Sequence, residues 1–106
     1  MSDLAALKQR RERPPFQGWK GSVPDEKIAA AVNIINRLIG QVIALGNEPD
    51  EDDVRTAVSE CVTRFNDLDD GWIMTIERED IAEAIFAVVD LAGFEADEAW
   101  IDDRDW

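Results

Sequence analysis

Histidine is absent from the chain, and cysteine occurs once, at Cys61. These two gaps remove several chemistries within one chain. A zinc site of the Cys/His kind lacks its ligands, no intramolecular disulfide can close, and neither a Ser-His-Asp nor a Cys-His set has its base. Long apolar runs are scarce as well. No stretch approaches ~20 residues without polar breaks, and the N-terminal residues carry no apolar signal core. The expectation is a cytoplasmic protein with no membrane contact. Strand-type alternation is missing too, and only "WIMTI" (72–76) has the composition of a short strand.

Positive charge is sparse: 11 Lys and Arg stand against 24 Asp and Glu in 106 residues. The imbalance is also segregated. Residues 1–20 hold Lys8, Arg10, Arg11, Arg13 and Lys20 against Asp3 and Glu12, whereas residues 21–106 hold the other 22 acids and six bases. On charge, the chain divides into a basic N-terminal arm (1–20) and an acidic helical domain (21–106). A field of that sign repels phosphate backbones and anionic membranes and attracts basic surfaces, so no direct nucleic-acid binding is expected of the acidic part. Solubility alone also accounts for such a charge.

With 45% of residues apolar there is material for one core, and the periodicity is helical. "SDLAALKQRRER" allows a short helix from Ser2 to about Arg11, stopped by Pro14 and Pro15, with "FQGWKGS" as a flexible connector. A second helix spans about Pro24 to Leu45, with Ser22 and Asp25 as a capping pair and Ile28, Val32, Ile35, Ile39 and Val42 on one stripe. A third spans Asp50 to about Leu68, its start loaded with carboxylates that the helix dipole favours. A fourth spans about Ile76 to Ala92, with Thr75 as its cap, and "EADEAWIDDRDW" makes a last short helical piece. The expected fold is all-α: a small antiparallel bundle of three main helices plus short terminal helices.

The segment "RFNDLDDGWIMTIERED" (64–80) resembles an EF-hand. With Gly71 at the sixth position of a twelve-residue loop, Asn66 falls at position 1, Asp70 at 5, the Trp72 carbonyl at 7 and Glu77 at 12. The resemblance implies calcium held by Asn66, Asp70, Trp72 and Glu77. Leu68 and Met74, at positions 3 and 9, bring no side-chain oxygen. The same residues also suit a plain turn, since Asp69, Asp70 and Gly71 are turn formers.

Glu77, Glu79, Asp80 and Glu83 recur at helical spacing, and "EDIAEAIFAVVDLAG" resembles a helix of the all-helical, magnesium-dependent nucleoside-triphosphate pyrophosphohydrolases. That resemblance implies facing acids, for which Asp50 to Asp53 or Glu60 are the available residues. No phosphate-holding set of Lys or Arg accompanies them, and a solvated face explains the same residues.

The leading expectation is a non-enzymatic interaction module without a cofactor, docking on a basic protein partner as an immunity protein or antitoxin does. Its contact surface is expected at Asp69, Asp70, Trp72, Asp97, Trp100, Asp102, Asp103 and Trp106, where acids surround aromatics suited to binding hot spots. Of the four tryptophans, Trp106 is expected to be exposed, while Trp19 and Trp100 also suit plugging the ends of the bundle. Cys61 reads as a small core residue. The acid-free stripe Asn33, Asn36, Arg37, Gly40 and Gln41 on the second helix is the expected homodimer contact, because two copies meet there without repulsion.

Overall fold

Each stretch with a three-to-four-residue apolar repeat forms a helix in the computed structural model, which describes residues 2–106. The helices are α1 (Leu4–Glu12), α2 (Asp25–Ala44), α3 (Glu51–Leu68) and α4 (Thr75–Leu91), with 3-10 turns at Gln17–Trp19 and Glu98–Ile101. The all-α bundle is as expected, and no strand occurs among the described residues.

Local chemistry sets the helix ends. Asp3 caps α1 by accepting the Ala6 N–H at 3.1 Å. Glu77 reaches back to the Met74 N–H at 3.0 Å and closes the start of α4, so Thr75 is the first helical residue rather than the cap. The expected Ser22–Asp25 capping pair does not form. Ser22 sits in the turn after Trp19, where its N–H bonds to the Trp19 carbonyl, and Pro24 takes the cap position. At the far end of α4, Gly93 adopts φ 98°, and the Gly93 and Phe94 N–H groups bond to the carbonyls of Asp90 and Val89. This left-handed termination favours glycine.

α2 is the central helix and touches α1, α3 and α4. Its buried residues are Ala31, Ile35, Leu38, Ile39 and Val42. They meet Val54, Val58, Val62 and Phe65 of α3 and Ile81, Ile85, Val88 and Val89 of α4 in one continuous core. By length and composition α2 is also long and apolar enough to cross a membrane, with a mean hydropathy of 1.3. Here its most apolar stripe is spent on packing against the other helices.

The basic N-terminal segment is not a detached arm. Leu7 is fully buried, and Phe16, Trp19 and Val23 belong to the same core. The Ser2 and Asp3 N–H groups bond to the carbonyls of Asn47 and Leu91 at 2.7 Å, pinning the start of α1 to the ends of α2 and α4. The radius of gyration, 13.1 Å, is close to the ~13 Å of a folded 100-residue chain, which leaves no room for a projecting segment. Charge changes at residue 20, but packing does not. The expected flexible connector is ordered as well: Phe16, in the left-handed region at φ 70°, stacks on Trp19 at 4.0 Å.

Candidate partner-binding surface

The carboxylates of residues 21–106 define the surface. All are exposed except Asp69, Glu77 and Asp80, which are half-buried. Only four ion pairs form among the described residues: Lys27–Asp70 at 3.4 Å, Arg55–Glu51 at 3.1 Å, Arg64–Glu60 at 3.6 Å and Arg104–Glu98 at 3.1 Å. Exposed pairs of this sort contribute little. The remaining exposed acids form no ion pair among the described residues, and screening or a partner relieves their repulsion.

Asp97, Asp102 and Asp103 are carried on a C-terminal segment laid along α3. The 3-10 turn starts at Asp97, whose side chain accepts the Ala99 N–H at 2.9 Å. Trp100 packs beneath the Arg55 guanidinium at 4.1 Å, and its indole N–H bonds to the Glu95 carbonyl. Further on, Asn66 acts as a clamp: its amide N–H bonds to the Asp103 carbonyl at 3.1 Å, and its oxygen accepts the Asp105 N–H at 2.8 Å. Exposed Asp67 neighbours the clamp on α3. The structure thus brings Asp67, Asp103 and Asp105 to one end of α3.

The aromatics of the expected surface are elsewhere. Trp100 is 6% exposed and Trp106 only 7%, its ring edge-on to Phe65 with centroids 6.1 Å apart. The expectation that Trp106 is exposed is therefore corrected. Its polar sequence neighbours point outward while the ring turns into the core. Trp72 is half-buried and packs edge-on against Trp19, which is 2% exposed and donates its indole N–H to Asp80 at 2.8 Å. Both Trp19 and Trp100 serve as core plugs.

The loop between α3 and α4 is built as a turn. Asp69 accepts the N–H groups of Gly71 and Ile73, and Gly71 adopts φ 102°. Of the residues aligned with the calcium positions, Asn66 lies within α3 and holds the C-terminal segment, Asp70 pairs with Lys27, and Glu77 caps α4. No three His, Cys, Asp or Glu side chains among the described residues gather into a metal-ligating group. The same holds for the acids of α4, where Asp80 is taken up by Trp19.

The stripe expected at a dimer contact is divided. Gly40 faces α1, where an added Cβ would lie 3.9 Å from the Arg11 guanidinium, and Gln41 donates to Glu60 of α3 at 2.8 Å. Asn36 is half-buried, leaving Asn33 and Arg37 as the exposed members. Cys61 is fully buried, and that burial pushes its thiol up to about 12, with Arg64 acting weakly in the opposite sense. It is a core residue with no nucleophilic character at neutral pH.

Met74 and Ile76, at 66% and 67% exposure, are the large apolar residues that face solvent. From the sequence, Met74 falls at a loop position and Ile76 at a helix start. The available signal was their phase: Ile73 is buried while its neighbour Met74 is not, and Ile76 precedes the inward stripe that begins at Ile81. No protein-family model, curated protein or solved structure matches this chain.

Proposed function

We propose that the chain is a non-enzymatic docking module that binds a basic protein through its carboxylate surface. In its sharper form, it covers a cationic, nucleic-acid-holding cleft as immunity proteins and antitoxins cover nucleases. One observation supports this reading above the others: an acidic body whose carboxylates are nearly all exposed and whose few cations engage only four of them. Asp97, Asp102, Asp103 and Asp70 are the charged contacts, with Asp69 holding the loop from which Asp70 projects. Trp72 contributes its half-exposed edge, and the apolar contact otherwise passes from Trp100 and Trp106 to Met74 and Ile76. The two buried tryptophans stiffen the segment that carries the aspartates, which lowers the ordering cost of binding.

Affinity capture at low salt, followed by purification of the captured partner, gives the test. Replacing Asp97, Asp102 and Asp103 together with Asn is expected to weaken that complex at least tenfold, or about 1.4 kcal/mol. Unchanged affinity for the triple variant would sink the reading, as would a captured partner with no basic surface.

A further inference from the structure

A groove of about 450 Å³ lies between α1, the Pro14–Pro15 turn, α2 and α4. Its floor is apolar, made of Ala6, the two prolines, Ile35 and Leu91, and its polar rim is Gln9, Arg10 and Arg13. The volume falls within the roughly 300–1,000 Å³ of small-molecule sites. In a chain with more than two acids per base, no acid lines this groove. Neither Arg10 nor Arg13 is in an ion pair among the described residues. Asp80 and Glu83 flank Arg10 in an adjoining hollow without reaching ion-pair distance, and Asp80 already accepts the Trp19 indole N–H. Favourable interaction with the α1 dipole explains basic residues at Arg10 and Arg11, which lie in its last turn. The same dipole reaches Arg13, the C-cap residue; it does not explain an apolar floor assembled from three elements beneath these side chains.

We infer that this groove binds a small amphipathic anion, with a carboxylate or phosphate-monoester head on Arg10 and Arg13 and an apolar chain or ring over Ala6, Leu91 and the prolines, above the buried Ile35. Guanidinium groups match both heads with paired N–H donors, and the open apolar floor supplies the area that a free inorganic anion leaves unused. This site is separate from the carboxylate surface and stands or falls independently of it.

The test is an amide NMR titration of the full-length ¹⁵N-labelled chain with decanoate and with decyl phosphate, using decyltrimethylammonium as the cationic control. Saturable shifts are expected at Ala6, Gln9, Arg10, Ile35 and Leu91 with the two anions and not with the cation. Arg10→Gln with Arg13→Gln is expected to weaken binding at least about tenfold by removing the head contacts. Ala6→Phe, which retains both arginines, is expected to weaken it by filling the floor, with the remaining amide spectrum and the melting temperature unchanged. Shifts that do not saturate, that fall outside the groove, or that survive both variants would overturn the assignment. Stronger response to decyl phosphate would identify a phosphate head, and equal response a generic anion site, each consistent with the inference.

Discussion

Replacing Trp106 tests the packing of the C-terminal segment, and its effect can be worked from the structure. A buried tryptophan cut to alanine typically loses about 3–5 kcal/mol. Two features reduce that figure here. The indole N–H of Trp106 is buried with no hydrogen-bond partner among the described residues, a defect worth about 1–3 kcal/mol that disappears with the ring. The segment is also held independently by the Asn66 clamp and by Trp100. Trp106→Ala is therefore expected to lower stability by about 2 kcal/mol and the melting temperature by roughly 10 °C. Trp106→Phe keeps an aromatic edge against Phe65 and removes the unpartnered donor, so it is expected to stay within about 0.5 kcal/mol of the parent or to exceed it. Urea denaturation followed by far-ultraviolet circular dichroism measures both variants without relying on tryptophan emission. An alanine variant as stable as the parent would mean that the ring is not buried. A phenylalanine variant as weak as the alanine variant would mean that the indole N–H has a partner.

Asp80→Ala leaves the Trp19 indole N–H unpaired in a site where that ring is 2% exposed, and is expected to cost about 1–2 kcal/mol by the same denaturation assay. Asp80→Asn, which keeps an acceptor oxygen, is expected to cost less than half as much. Cys61 is expected to resist a thiol-specific disulfide reagent at neutral pH until the chain is unfolded in urea, whereupon it reacts at once. Because burial raises the folded-state value from 9.0 to about 12, the neutral thiol favours the folded state, and the unfolded chain sheds the proton first. The resulting stabilisation is complete below pH 9.0 and is lost as pH rises towards 12; Cys61→Ala should remove that part of the alkaline decline in a melting-temperature series. Added salt is expected to raise the melting temperature, since screening relieves repulsion among the exposed carboxylates more than it weakens four surface pairs. A fall with salt would show that the pairs dominate.

The helices were legible because burial imposes a 3.6-residue period that the sequence displays directly. Ile35, Ile39 and Val42 on α2 and Val54, Val58 and Val62 on α3 follow from spacing alone. The irregular segments were not legible in that way. Trp19 is fixed by Asp80, 61 residues away, and the C-terminal aspartates are placed by Asn66, 37 and 39 residues away. No local pattern encodes such pairings. "IDDRDW" illustrates the difficulty: five mostly polar neighbours suggest an exposed end, yet a non-helical segment can turn one ring inward while the flanking carboxylates stay wet. That the acids lie outward follows from composition, because charged side chains seldom enter a core unpaired. The apolar members of that surface were misplaced. Met74 and Ile76 sit in a run whose inward and outward phases become distinguishable only once Ile73 and Ile81 are seen to be buried.

The central claim is that the exposed carboxylates steer a basic partner onto this chain. Stopped-flow association with the captured partner, across a salt series from about 20 to 500 mM, tests it most directly. The association rate is expected to fall about tenfold or more across that range while the dissociation rate changes little. An association rate independent of salt would contradict the account, whatever the affinity.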